Sequence, residues 1–343
     1  MSIYLEGAKA PVESEITAFD LDVTGDIPQE LEGRWLRNGP NPFGPVDSNS
    51  YHWFLGDGMI HGVRIRDGKA EWYRNRWVRG KDLAEKLQEE PPQGDSFGGS
   101  GFSPNTSVIG HSGKTLALVE AGTSPVSLTY DLETIGYENF GETLPGAFSA
   151  HTKFDPFEKE LHAVCYAYPD ILDRLQHVVL GPDNRVKKVT DIPIEGMPMV
   201  HDMSITEKYV VIYDLPVCVD LDLALEGDPF PLAWQNDRQS RIGLLPRDGE
   251  ASDIVWCEAP RCYVFHPVNA FEVQGGQDDQ KIIIDLCRYE RVFQKDLKGP
   301  AGDSPPQLVR WTVDVENRTV NEEIVSDLAH EIPAHDPRTV GRR

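Results

Sequence analysis

The feature that most restricts what this chain can fold into is its punctuation. Short runs of alternating or β-branched residues recur at Met59–Ile65, Thr115–Val119, Leu161–Tyr168, Tyr209–Tyr213, Ile282–Leu286 and Leu308–Val313. Turn formers break them at Asp67-Gly68, Ser112-Gly113, Gly181-Pro182-Asp183-Asn184 and Arg247-Asp248-Gly249. Runs this short bury their apolar side chains as strands, and turns this frequent bring each strand back beside the last. The outcome is an all-β sandwich, barrel or propeller. Lys81–Glu89 has helical spacing and good helix formers, and Glu90-Pro91-Pro92 must end it. Residues 81–101 therefore read as a helix-and-loop insertion on a single domain, 1–343. Gln274–Gln280 and Lys298–Pro306 read as polar hairpin loops.

Charge and composition remove several classes of function. The 343 residues carry 33 Lys+Arg against 56 Asp+Glu, a net charge of −23 with no basic run. Phosphate recognition needs clustered Lys and Arg, so nucleic acid is not an expected partner. No stretch approaches the ~18 apolar residues of a membrane helix. The start, Met1-Ser2-Ile3-Tyr4-Leu5-Glu6, has neither the basic nor the apolar region of a secretory leader. The five cysteines, Cys165, Cys218, Cys257, Cys262 and Cys287, are odd in number and form no C-x-x-C pair. They read as small buried residues in a reducing compartment. The expected setting is cytoplasmic, with peripheral membrane contact at most and no obligate protein partner.

A weaker rhythm concerns histidine. Phe148-Ser149-Ala150-His151, Pro198-Met199-Val200-His201-Asp202 and Tyr263-Val264-Phe265-His266-Pro267 share a plan, with their histidines 50 and 65 residues apart. Propeller blades take ~40–50 residues each, more with long loops. One histidine per blade, near the inner end of a strand, would bring all three to a common axis. A lone histidine on an apolar strand is more often a hydrogen-bonded core residue, and spacing alone does not exclude that. A shared metal is the competing reading. Imidazole suits Zn, Cu, Fe and Ni, so ligand type does not choose among them, and no H-E-x-x-H zinc motif is present.

Longer segments carry a resemblance. Leu31-Glu32-Gly33-Arg34-Trp35-Leu36-Arg37-Asn38-Gly39-Pro40-Asn41-Pro42 is followed by Trp53-Phe54-Leu55-Gly56-Asp57-Gly58-Met59-Ile60-His61-Gly62. Pro104-Asn105-Thr106, Leu118-Val119-Glu120-Ala121-Gly122, Ser149-Ala150-His151 and Val200-His201-Asp202 come next, then Phe265–Glu272 and Ile332–Arg343. In this order they resemble the carotenoid cleavage oxygenases, a family that includes the retinoid isomerase of the eye and the lignostilbene dioxygenases. The resemblance implies a seven-bladed β-propeller with a non-haem Fe(II) held by four histidines. His151, His201 and His266 fall on three ligand positions. Glu120 and Glu331 fall on positions whose carboxylates accept the other ring N–H of a ligand. The implied reaction is cleavage of a C=C bond by O2 into two carbonyl products, on an apolar polyene.

The same resemblance sets expectations about the limits of this chain. The family's fourth histidine lies downstream of the Asp336-Pro337-Arg338 segment, so the propeller reads as incomplete at its C-terminus and its activity as correspondingly weakened. His330 and His335 flank Glu331 and read as surface residues, not substitutes. His61, His111, His162 and His177 read as ordering, packed or exposed residues outside the metal site. Stilbene-cleaving relatives typically have Lys before the first carboxylate; Val119 stands there and favours a carotenoid or apocarotenoid. Phe230-Pro231-Leu232-Ala233-Trp234 is an apolar patch in a polar loop, suited to a tunnel mouth or a membrane surface. Phe102 and Phe148 are further tunnel candidates. The alternatives are a stilbene dioxygenase, a retinoid isomerase using the same ligands, a calcium-dependent propeller lactonase and a non-catalytic scaffold. A lactonase needs oxygen ligands, which the histidine motifs do not supply.

Overall fold

A computed structural model describes residues 2–99, 101–275 and 281–343 of the chain. Residues 276–280 of the expected Gln274–Gln280 loop, and Ser100 of the 81–101 segment, lie outside the described residues. The chain divides into two compact units, Met1–Phe148 and Ser149–Arg343.

The first unit is built from two four-stranded sheets. β1 (Thr17–Phe19), β2 (Gly33–Pro40), β3 (Gly58–Arg66) and β4 (Lys69–Trp77) lie in the order β1-β4-β3-β2. The first strand therefore closes the far edge of a three-stranded meander. β5 (Ser107–His111), β6 (Lys114–Leu118), β7 (Val126–Leu128) and β8 (Thr134–Tyr137) follow one another in sequence order. Helix α1, Lys81–Leu87, lies between β4 and β5 in the chain. It stops where Gln88 adopts a left-handed cap at φ 59°, before the two prolines are reached. Ile60, Trp72, Val78, Ala117, Val126, Leu128 and Leu132 form one buried cluster of this unit. Gly58 shows why one motif is fixed: a Cβ there would sit 1.9 Å from the Pro104 carbonyl oxygen.

Three further four-stranded groups and a separate two-stranded hairpin make the second unit. β9 (Lys153–Asp155), β10 (Glu160–Ala167), β11 (Ile171–Leu180) and β12 (Val186–Pro193) form a meander. β13 (Met203–Ile205) and β14 (Tyr209–Asp214) are followed by a separate hairpin of β15 (Val217–Val219) and β16 (Leu232–Trp234). That hairpin's loop carries helix α2, Leu221–Glu226. β17 (Arg241–Pro246) and β18 (Val255–Glu258) then rejoin β14. β19 (Tyr263–Glu272), β20 (Lys281–Tyr289), β21 (Gln307–Asp314) and β22 (Thr319–Ala329) are the last meander, touching β18 through one parallel pair, Glu258 and Thr319. Among the described residues every other ladder of this unit is antiparallel, as expected of propeller blades.

Burial explains why the apolar runs became these strands. All eight residues of β10 are buried, as are the last four of β11. Strands covered on both faces lose the simple alternation of half-exposed ones. Trp311 and Tyr263 are fully buried in this unit, and each such side chain contributes about 1.5–3 kcal/mol by leaving water. The five cysteines are all buried and unpaired with one another. Burial pushes the thiols of Cys218, Cys262 and Cys287 up to about 12, so none is a reactive nucleophile.

Candidate metal centre

β9, β13 and β19 are the first strands of the three groups in the second unit, and β13 packs against both of the others. His151 lies two residues before β9, and His201 two residues before β13. His266 is the fourth residue of β19, where the pairing slips: Val264 opposes Arg288 but Pro267 opposes Leu286. Three steps on one strand match two on its partner, which is a bulge, and bulges re-aim side chains. The result is convergence. Ring centroids are 4.5 Å apart for His151 and His201, 4.8 Å for His151 and His266, and 5.2 Å for His201 and His266. One nitrogen from each ring lies within 4.8 Å of the others.

The electrostatics favour a neutral ring at His151. Burial, reinforced by the neighbouring His201, His266 and Lys153, holds His151 well below the usual imidazole range. Its Nε2 is buried and has no hydrogen-bond partner. A buried nitrogen lone pair facing two further imidazoles is costly unless an electron-pair acceptor meets it. His266 Nδ1 lies 2.5 Å from Glu331 Oε2, which also accepts the Ile332 N–H at 2.5 Å. A carboxylate accepts, so Nδ1 carries the proton and Nε2 keeps its lone pair for the centre. Lys153 and Asp202 form an ion pair beside the triad, at 2.8 Å. The donor set fits a borderline divalent transition metal such as Fe, Co or Zn rather than calcium, which takes oxygen ligands.

An aromatic series leads away from the triad. Phe265 packs edge-on against His201 at 5.1 Å, Phe293 lies 6.1 Å from Phe265, and Phe230 lies 5.4 Å from Phe293. Tyr289 also meets Phe265 edge-on, at 5.4 Å. Phe230 is partly exposed in the α2–β16 loop, and Trp234 is buried in β16 with its backbone N–H on the Phe293 carbonyl. Phe230 and Trp234 thus stand at the outer part of a series whose inner members, Phe265 and Phe293, sequence reasoning did not single out. Adjacency to His266 was the available signal for Phe265.

The other expected residues fall elsewhere. Glu120 and Val119 follow β6 in the first unit, ahead of a left-handed Ala121-Gly122 turn, with Val119 buried. Phe102 is half-buried in that unit and Phe148 is fully buried at its end, against Phe140 at 5.2 Å. His330 and His335, expected at the surface, are each half-buried instead. His330 meets the Ser326 hydroxyl at 2.8 Å, and His335 Nε2 is buried without a partner. Both lie in the segment after β22 that also carries Glu331. His162 and His177 are buried, stacked 5.4 Å apart and joined Nδ1 to Nε2 at 3.1 Å. Arg247 reaches His162 Nε2 at 2.9 Å and Asp155 at 2.6 Å.

The sequence profile of the family described as retinal pigment epithelial membrane protein matches residues 9–343. A carotenoid cleavage oxygenase of Mycobacterium tuberculosis is 42% identical over 98% of this chain and 75% of its own length. The chain belongs to the carotenoid cleavage oxygenase family. Its fold is the all-β propeller of the carotenoid oxygenase type. The lignostilbene dioxygenase of Pseudomonas brassicacearum superposes with a TM-score of 0.86 at 29% identity, over 99% of this chain and 74% of that one. A cobalt-substituted apocarotenoid oxygenase of Synechocystis gives 0.81 at 26% identity, over 97% and 74%. Among the described residues, no helix of this carotenoid cleavage oxygenase family member is long and apolar enough to cross a membrane.

Proposed function

We propose that this protein is a non-haem Fe(II) oxygenase that cleaves a C=C bond of a carotenoid or apocarotenoid with O2, giving two carbonyl products. The balance is simple: one alkene and one O2 give two C=O groups, with no outside reductant. The observation that carries this reading is the convergence of His151, His201 and His266, with His266 oriented by Glu331, in a chain of this family. A ferrous ion held by these imidazoles supplies the one-electron chemistry that O2 needs to react with a closed-shell alkene.

The chain's own residues do the rest. Neutral imidazoles leave the metal its full positive charge, and Glu331 partly offsets it from behind His266. Glu120 is assigned the same role from its motif. Phe265, Phe293 and Phe230 give a polyene flat apolar surfaces and exclude water from its path. Trp234 is assigned to the same path from its apolar character, and Phe102, Val119 and Phe148 keep the substrate-lining role that the family motifs give them. Val119, an apolar residue, favours a carotenoid over a phenolic stilbene. Leu221 and Leu225 are exposed on α2 near the Phe230 loop, and we assign them to peripheral contact with the membrane in which such substrates dissolve.

The test is anaerobic Fe(II) titration followed by aerobic turnover of a C40 carotenoid, an apocarotenal and a hydroxystilbene under ¹⁸O2. One iron per chain and ¹⁸O-labelled carbonyl fragments from a carotenoid substrate are expected. Calcium binding without iron would overturn the metal assignment. Isomerised, unlabelled product would overturn the oxygenase assignment, and cleavage of the stilbene alone would overturn the substrate class.

A further inference from the structure

We infer that the Lys153–Asp202 ion pair is a strap that sets the separation of His151 and His201, and so the affinity of the centre for a divalent metal. The inference rests on the metal reading of the triad. Lys153 opens β9 two residues after His151, and Asp202 directly follows His201 ahead of β13. β9 and β13 belong to different sheets, so among the described residues no ladder of backbone hydrogen bonds fixes one against the other. Lys153 Nζ spans that junction and lies 2.8 Å from both oxygens of Asp202. Asp202 Oδ1 also accepts the Met203 N–H at 2.6 Å, which locks the carboxylate to the backbone that carries His201. The side chains are 20% and 3% exposed, so water competes little for either group. The strap thus runs from backbone to backbone, with one imidazole within two residues of each end.

Its charge suits the position as well. Lys153 stands two residues from His151 and is paired there with Asp202. An unpaired ammonium in that place would repel a divalent cation, whereas a paired one adds no net charge. Breaking a buried pair also leaves the remaining charge uncompensated and free to pull its segment elsewhere. Both partners are therefore positioning residues: they act through the two histidines, not on substrate.

Co(II) titration of the metal-free protein, read by visible d–d absorption, tests the strap without any turnover. Lys153→Met removes the cation while Asp202 keeps its bond from the Met203 N–H, and near-UV circular dichroism checks that the variant is folded. It is expected to weaken Co(II) binding by about tenfold or more, as loss of an outer partner of a metal ligand does, and to change the band shape. Asp202→Asn should do the same. Lys153→Arg, which keeps the ion pair, should restore the wild-type spectrum and bind within about threefold of wild type. Unchanged affinity and spectrum in Lys153→Met would overturn the strap. Tighter binding in Lys153→Met would also overturn it, by showing that charge alone matters. A wild-type protein that binds no Co(II) or Fe(II) would instead remove the metal reading itself, a failure distinct from either.

Discussion

The guanidinium of Arg247 can only donate, and that fixes two buried protons. It points at His162 Nε2, so His162 carries its proton on Nδ1 and donates to His177 Nε2. His177 must then carry its own proton on Nδ1, which is buried and meets no partner. Burial, with smaller contributions from nearby cations, pushes His162 down to about 2 and His177 down to about 3. Both folded values lie below the ordinary ~6.5, so unfolding takes up protons in acid. The stability these residues contribute is complete above about pH 6.5 and is lost as pH falls toward 3. Urea unfolding should therefore show a plateau at neutral pH and a decline below it. The His177→Gln variant should show a shallower decline, by up to about 1.4 kcal/mol per pH unit. An equally steep decline in that variant would mean that His177 is already charged in the native protein. Sequence alone did not mark these residues, because their partner Arg247 lies 85 positions from His162.

Elements differ in how much of them a linear pattern records. The six strand-like runs read from periodicity all became strands, each within a few residues of its expected bounds. Helix α2 went unread, because six residues are too few for a 3.6-residue period to show. It is made by its caps instead: Asp220 accepts the N–H groups of Asp222 and Leu223, and Gly227 ends it at φ 83°. The three histidines that converge were legible because each follows a similar short motif, and Glu331 was legible only through the family resemblance. The bulge that turns His266 inward and the strap from Lys153 to Asp202 were not, since both depend on which strands become neighbours. Gly58 of β3 offers a direct test of a motif whose reason is packing. Its N–H meets the Ser103 hydroxyl at 2.9 Å, and a methyl group would strike the Pro104 backbone. Gly58→Ala should cost about 3 kcal/mol in equilibrium unfolding, at the upper end of ordinary overpacking. A loss below about 0.5 kcal/mol, the scale of ordinary surface changes, would show that the Pro104 segment yields freely.

At the scale of the molecule, the imidazole triad belongs wholly to the unit Ser149–Arg343. A metal that binds the native state stabilises it by mass action, about 2.7 kcal/mol when the free ion stands at a hundred times its dissociation constant. Adding Fe(II) or Co(II) anaerobically should raise the thermal midpoint by several degrees, and a chelator should reverse the rise. Hydrogen exchange should slow most in peptides from β9, β13 and β19. Uniform slowing across both units, or none, would speak against a centre confined to this triad.

The carboxylate that orients His266 is synthesised 65 residues after it. As the chain leaves the ribosome, His151, His201 and His266 all emerge before the group that selects the tautomer of the last of them. No short stretch of nascent chain brings the three imidazoles together, and Glu331 reaches His266 only when β22 has folded back across its sheet. On the metal assignment proposed above, loading is thus a late event in biogenesis, following elongation instead of accompanying it.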